Sequence, residues 1–313
     1  MCKNRIKPDA VIEPAPYGSN EYEGLRTLWC EVFGDGPGFV DAVYSCFGED
    51  ISGWVIKDPE GRVCSALTCY RCGSFEDRPV YVSYAICTRA DSRGHGYAGM
   101  LTEYMRDRII SCGGISLVSP AEESLEKYYA SHGYRPFCFA YTGAVLSPDL
   151  ENDGLDGFDE LEEFEGFELD FGNDAVDPPA PAMEMKVVNS EVYGRYREAF
   201  LNEYPHIELS EAMLRLAKAE SLDGNGLLVI NRGDAICAVS RADASQVILT
   251  ELIVNPILLE ISSEIENDIA GMIAKHFDAA ETLYSAPGRG RCQSMAAGMD
   301  RNNCAAYFGF PID

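Results

Sequence analysis

Tyr84-Ala85-Ile86-Cys87-Thr88-Arg89-Ala90-Asp91-Ser92-Arg93-Gly94-His95-Gly96-Tyr97-Ala98-Gly99-Met100-Leu101 runs from a strand-like stretch through a glycine-rich turn into a helical pattern. Backbone N–H groups at a helix start carry partial positive charge and hold phosphate well. Glycine lets a pyrophosphate come close to the backbone. Local charge agrees. Arg89, Arg93, Arg106 and Arg108 stand against Asp91, Glu103 and Asp107, a net of +1 inside a chain of −26. The plain alternative is a strand-to-helix turn without a ligand, but such a turn has little need of Gly94, Gly96 and Gly99 together.

Gly94, Gly96 and Gly99 formally match GxGxxG, the dinucleotide fingerprint. That fingerprint wants its first glycine directly after the strand, at the opening of the fold. Here Arg89 to Arg93 intervene, and a hairpin comes first. Glu122 or Glu123 would have to serve as the ribose-binding acid, and nicotinamide binding is the weaker reading. The chain contains no GxxxxGK P-loop, GxSxG elbow or HExxH.

Outward from this stretch, patterning predicts a strand at Ala10–Pro14 and an amphipathic helix at Asn20–Phe33 carrying Leu25, Leu28, Trp29 and Phe33. Gly53–Ile56 and Arg62–Phe75 read as a hairpin around Asp58-Pro59-Glu60-Gly61. Val80–Thr88 reads as a strand and Gly96–Ile110 as a helix. Ile115–Val118 is a strand leading to a helix from Pro120 to Ser131.

Arg93-Gly94-His95-Gly96-Tyr97-Ala98 resembles the R-x-x-G-x-G/A signature of the GNAT superfamily of acetyl-CoA-dependent N-acetyltransferases. Ser119-Pro120-Ala121-Glu122-Glu123-Ser124-Leu125-Glu126-Lys127-Tyr128-Tyr129-Ala130-Ser131-His132-Gly133-Tyr134 resembles the family's later "N-P … L-Y-E-K-x-G-F" helix. The spacing between the two also fits. The resemblance is strong over residues 80–136 and rests on element order elsewhere in the first half. It implies an α+β fold, a mixed sheet flanked by helices, with acetyl-CoA as cosubstrate. It implies that Arg93, Gly94, His95, Gly96, Tyr97 and Ala98 cradle the pyrophosphate. Ile86 and Thr88 would offer backbone groups to the pantetheine arm. Tyr129 would protonate the departing thiolate, a task that suits a phenol because its basicity exceeds that of a thiol. The alternative for Tyr129 is a core tyrosine beside Tyr128.

Two departures stand out. Where the family often keeps an asparagine, this chain has Glu122, and Ser119 with Glu122 reads as a capping box with Pro120 at the first helical position. Many members carry an acid on the fourth strand near Tyr84 or Ala85, and this chain has none there. The base that deprotonates the amine is then water, Glu123, the C-terminal carboxylate at Asp313, or a group the sequence does not reveal.

The second half repeats the order of elements. Met183–Val188, Leu227–Ile230, Ala235–Ser240, Val247–Val254 and Thr282–Ser285 read as strands. Glu191–Leu201, Leu209–Ala219 and Ile261–Phe277 read as helices, and a short helical piece ends near Tyr307. Gly288-Arg289-Gly290-Arg291 reads as a loop. Leu252-Ile253-Val254-Asn255-Pro256 resembles the family's fourth strand, but Ile257-Leu258-Leu259-Glu260 replaces the arginine and glycines. The resemblance therefore implies two GNAT-like domains in tandem: an acetyl-CoA-binding domain over 1–148 and a degenerate one over 183–313 without the cofactor motif. Between them, Asp149 to Asp177 holds 13 acids and no base, and prolines follow. Like charges and prolines extend a chain, so 149–182 reads as a linker, or as an acidic flap over a substrate site.

The 313 residues include 51 acids and 25 bases, with 46% apolar residues, enough for about two cores. A surface this acidic repels nucleic acid and anionic membranes. It favours a cationic acceptor, such as a small-molecule amine or a lysine side chain of a peptide. No stretch is apolar over the roughly 18 residues of a spanning helix. Met1 to Pro8 lacks the apolar core of a secretory signal, which predicts a cytoplasmic setting with reduced thiols. Twelve cysteines are too few for a disulfide scaffold of this length. Cys69-Tyr70-Arg71-Cys72 is a lone CxxC on a strand, where residues three apart face opposite ways, so no metal is expected. Two functions follow as expectations: an N-acetyltransferase acting on a primary amine, or a non-catalytic acyl-CoA-binding regulator or scaffold.

Overall fold

Ser19 ends an extended entry and accepts a hydrogen bond from the Tyr22 amide at 3.1 Å, which starts α1 (Asn20–Phe33). The helix buries Tyr22, Leu25, Leu28 and Trp29, and Gly34 ends it in the left-handed conformation. The computed structural model describes residues 10–148, 183–262, 264–288, 290–299 and 306–309. The acidic segment 149–182 and the carboxylate-bearing Asp313 lie outside the described residues.

The first half contains β1 (Ile12–Pro14), α1, α2 (Pro37–Phe47), β2 (Ile51–Lys57), β3 (Val63–Phe75), β4 (Arg78–Thr88), α3 (Tyr97–Ser111), β5 (Ile115–Val118), α4 (Glu123–Ser131) and β6 (Arg135–Leu146). The second contains β7 (Met185–Val187), α5 (Ser190–Leu201), β8 (Glu208–Leu209), α6 (Glu211–Glu220), β9 (Leu227–Ile230), β10 (Ala235–Ala242) and β11 (Gln246–Val254). It continues through α7 (Pro256–Ile261), α8 (Ile265–His276), β12 (Glu281–Pro287) and β13 (Arg291–Ala297). Each half presents an edge strand, two helices, an antiparallel pair, a third strand, helical structure and a strand that returns parallel to the third.

One sheet joins them in the order β1-β2-β3-β4-β5-β13-β6-β12-β11-β10-β9-β7, with β8 added to β3. The halves exchange strands at the centre. β13 of the second half lies between β5 and β6, pairing Met295 with Val118 and Ser294 with Cys138. β6 of the first half carries β12 along Ala140 to Leu146. The largest core draws on both halves, from Trp29, Val40 and Val43 to Met213, Leu216 and Tyr307. Gly73 admits β8 onto β3, because a Cβ there would sit 1.9 Å from the Glu208 carbonyl oxygen.

Several elements differ from expectation. Patterning assigns no element to residues 34–52, yet a second helix forms there. Pro37 occupies the first turn of α2, where its missing N–H costs nothing, and Val40, Val43, Tyr44 and Phe47 are buried beyond it. Residues 135–146 form a long strand that patterning does not assign. The expected helix Ile261–Phe277 is α8, which starts four residues later at Ile265, and a separate short helix, α7, precedes it. Arg291 opens β13 rather than sitting in a loop. Ala306 and Tyr307 form bridges to Cys138 and His206, and the stretch before them, where a short helical piece is expected, lies outside the described residues. The Ser119–Glu122 capping box does not form. α4 begins three residues later than Pro120, Ser119 Oγ meets Ser294 Oγ at 2.7 Å, and Glu122 accepts from Ser124 instead. His206 is half-buried, held between the Tyr204 carbonyl and Glu198.

Candidate active site

β4 carries two features that make a site. Ala66 pairs with Cys87 and Thr68 with Tyr84, so Ala85 and Ile86 together oppose Leu67. At this bulge Ala85 takes φ +48°, in the left-handed region. Such a conformation in an alanine costs about 1–3 kcal/mol and is held by its surroundings. The second feature is divergence. β4 and β5 pair from Val80–Ile115 to Val82–Leu117, and β4 then runs on to Thr88 without β5. The β5-facing edge of β4 from Ser83 to Thr88 therefore borders a gap.

That edge ends at the glycine turn. Gly94 and Gly96 have φ near +80°, and Gly96 caps α3 without a side-chain hydrogen bond. The first internal helical bond shown there is Met100 N–H to the Gly96 carbonyl, so α3 starts with amides that no capping side chain takes. A Cβ on Gly96 would meet nothing within 4 Å, so this glycine is there for its backbone angle. Gly99 does something else. Its missing Cβ leaves room for the His132 ring, whose Cε1 would lie 2.7 Å away. His132 is in turn bonded to Glu103 at 2.9 Å, and Arg106 donates to its carbonyl. The third glycine thus packs α3 against the end of α4.

Arg93 is exposed and donates to the Thr88 carbonyl at 3.3 Å. Among the described residues it has no carboxylate partner. Arg89 is committed to Asp58 and Asp91, Arg106 to Asp107, and Arg108 lies 5.2 Å over the Trp54 ring. His95 is exposed, hydrogen-bonded through Nδ1 to the Ser92 carbonyl and stacked on Tyr97. Tyr97 and Ala98 are half-buried at the helix start. Thr88 Oγ1 meets Ser65 Oγ at 2.9 Å. Glu122 and Glu123 are exposed at the start of α4.

Tyr129 is buried on α4 and packs with Val118, Tyr134, Met295 and Ala297, with Ile86, Leu125 and Cys292 against the same cluster. Its hydroxyl has no hydrogen-bond partner among the described residues. Burial, with Tyr128 and Tyr134 adding to it, pushes its pKa up to about 12. The phenol therefore stays protonated at neutral pH. Ile86 of the bulge and Tyr129 are thus brought to one place, at the inner end of the gap whose outer end is the Gly94–Gly96 turn. The backbone angle of Ala85 and the presence of Met295 are the two features that sequence patterning misses.

The matching gap in the second half is filled. β11 and β12 pair up to Leu249–Tyr284, and β11 continues to Val254. Beyond that point Ala306–Gly309 lies against the sheet: Phe139 N–H donates to Ala306, and Arg197 Nη2 donates to the Phe308 carbonyl at 2.8 Å. Among the described residues no cluster of three or more metal-ligating side chains occurs, and Cys69 and Cys72 belong to cores on opposite faces. Two open clefts, about 530 Å³ beside Tyr17 and Tyr44 and about 410 Å³ along α1, lie away from Tyr129.

No protein-family model matches this sequence, and no curated protein does. Solved structures match the whole architecture. A conserved Enterococcus faecalis protein of unknown function aligns with TM-score 0.63 at 11% identity, over 92% of this chain and 72% of that one. A GCN5-related N-acetyltransferase from Anabaena variabilis aligns at 0.61 and 13%, over 91% and 72%. The fold is that of the GNAT N-acetyltransferases. A tandem GNAT protein from the clavulanic acid biosynthesis pathway aligns at 0.50 and 10%, over 94% of this chain and all of that one. Among the described residues no helix is long and apolar enough to cross a membrane.

Proposed function

We propose that this chain is an acetyl-CoA-dependent N-acetyltransferase acting on a primary amine. The observation that carries the reading is the uncovered edge of β4, which leads from the Gly94–Gly96 turn to the protonated hydroxyl of Tyr129. The amides of Tyr97, Ala98 and Gly99, with the guanidinium of Arg93, which has no carboxylate partner among the described residues, bind the pyrophosphate. Backbone groups of Ile86 and Thr88 line the pantetheine arm. At the bulge, strand amides freed from β3 stabilise the developing oxyanion. The amine nitrogen attacks the thioester carbonyl directly. The C–N bond forms, the nitrogen gives its surplus proton to water, the C–S bond breaks, and Tyr129 gives its proton to the departing sulfur and regains one from solvent. No acid stands on β4 at Tyr84 or Ala85, so the amine arrives neutral or loses its proton to water. Much of the enzyme's contribution is then positioning. The charge of −26 favours a cationic acceptor, a polyamine-like molecule or a lysine side chain.

Residues 183–313 act in this reading as a GNAT-like half without cofactor, its glycines replaced and its gap taken by its own chain. A second reading, an acyl-CoA-binding regulator, draws on the missing strand acid.

Calorimetric titration with acetyl-CoA, with NAD as control, tests binding. One-to-one binding that is lost in Gly96→Glu supports the first half as the site. Turnover with an amine panel that is lost in Tyr129→Phe while binding persists separates the enzyme from the regulator. Absence of binding at millimolar acetyl-CoA overturns both.

A further inference from the structure

Met295 comes from β13, the last strand, yet it sits inside the cluster around Tyr129. It is 1% exposed and faces Val118 directly across the β5–β13 pair. Val118 ends β5, and Ile86 lies at the β4 bulge against the same cluster. Val118 thus stands at the inner end of the gap, with Met295 beside it on the edge of β5 away from β4, and both side chains belong to the cluster around Tyr129. Ser294, its neighbour, meets Ser119 just past β5 at 2.7 Å, which fixes β13 in this register. The second half thus supplies a buried side chain to the cluster that surrounds Tyr129.

Resting on the acetyltransferase reading, we infer that Met295 sets acyl-chain length and restricts the cosubstrate to short acyl-CoA esters. An arm that enters at the glycine turn and runs inward along β4 brings its acyl group last to Ile86, Val118 and Tyr129. Beyond them stands the Met295 side chain. Met295 is fully buried in this cluster, so in this inference a two-carbon acyl group stops short of it, whereas a four-carbon group reaches it and must displace it. A hydrophobic wall discriminates by roughly 10–200-fold per methylene.

The test is calorimetric titration of the full chain with CoA, acetyl-CoA and butyryl-CoA. Wild type binds acetyl-CoA at least about 100-fold more tightly than butyryl-CoA, two methylenes at about tenfold each. Met295→Ala brings the two within about threefold and leaves CoA itself unchanged. Met295→Phe, which adds volume, weakens acetyl-CoA while keeping CoA, so a poorly folded alanine variant does not end the test. Equal acetyl-to-butyryl ratios in wild type and Met295→Ala, or equal affinities in wild type, overturn the role of Met295 and leave the acetyltransferase reading standing. No CoA binding by wild type overturns that reading and this inference together.

Discussion

Arg197 on α5 and Glu251 on β11 meet at 3.1 Å with neither side chain exposed. Tyr193 donates to the other Glu251 oxygen at 2.8 Å, and the remaining guanidinium donors reach the Ile207 and Phe308 carbonyls. Glu251 stands on the strand that matches β4, where the first half has Ala85 at its bulge. In the second half this acid is spent on holding the chain's own final segment. A Cβ on Gly309 would lie 2.2 Å from Glu251 Oε1, so the segment approaches as closely as glycine allows.

This network predicts a stability effect without a cofactor effect. Arg197→Met strands a buried carboxylate and should cost about 3–5 kcal/mol in urea unfolding. Replacing both partners, Arg197→Met with Glu251→Met, should recover part of that loss, because no charge is then left buried alone. A double variant no more stable than the single one would show that the ion pair is not the source of the loss.

The glycines of the turn predict a split between folding and binding. Gly96→Ala meets open space but must hold φ at +81°, which costs about 1–2 kcal/mol. Gly99→Ala forces its Cβ into the His132 ring and should cost about 1–3 kcal/mol by overpacking. In Gly99→Ala the damage falls on the α3–α4 contact, so placement of Tyr129 and hence kcat should suffer more than CoA affinity. Equal losses of kcat and affinity would contradict that division.

Burial raises the pKa of Tyr44, Tyr129, Tyr134 and Tyr284, each to about 12. In the unfolded chain these phenols ionise near 10. The unfolded state therefore loses protons first as pH rises, and folded stability falls between pH 10 and 12. Thermal unfolding followed from pH 7 to 11 should show a flat region and then a decline. For catalysis the sign is favourable, because Tyr129 remains an acid throughout the flat region. Tyr129→Phe should lower kcat by roughly 10²–10⁴-fold at pH 7–9 with acetyl-CoA binding kept.

Much of this was legible from local chemistry. Asn20–Phe33 carries most of its apolar stripe in sequence, and the structure returns the same bounds, although Phe33 at its end is exposed. Leu227–Ile230 and Ile115–Val118 are equally local. Arg93 to Ala98 announces its turn through glycines that need positive φ. What stayed hidden is what depends on distant chain. β13 pairs with β5 across more than 170 residues, and nothing in Arg291–Ala297 names that partner. Ala85 gives no local hint of a left-handed angle, because alanine does not prefer one; only the bulge against Leu67 imposes it. Ser119 looked like a cap because Glu122 and Pro120 follow in the right order. Its tertiary partner, Ser294, took it out of that role. α2 was hidden by Gly36 and Gly38, although Pro37 between them marks a helix start.

Arg89 and Arg93 lie four residues apart and predict opposite outcomes. Arg89 is mostly buried, bridges Asp58 at 2.9 Å and donates to the Val63 carbonyl at 3.0 Å. Its removal should unfasten the end of β4 from the β2–β3 turn and lower stability by about 1 kcal/mol or more. Arg93 has one long bond to the Thr88 carbonyl and no carboxylate among the described residues. Arg93→Ala should leave stability within about 0.5 kcal/mol of wild type. Its guanidinium stands beside the amides of the glycine turn, so its loss should weaken CoA by about tenfold, the scale of one charge-assisted bond. Dephospho-CoA keeps the pyrophosphate and lacks the 3′-phosphate, so it locates the charge. If Arg93 acts on the pyrophosphate, the variant loses the same factor against CoA and dephospho-CoA. A loss confined to CoA would move Arg93 to the 3′-phosphate and leave the turn amides to hold the pyrophosphate alone.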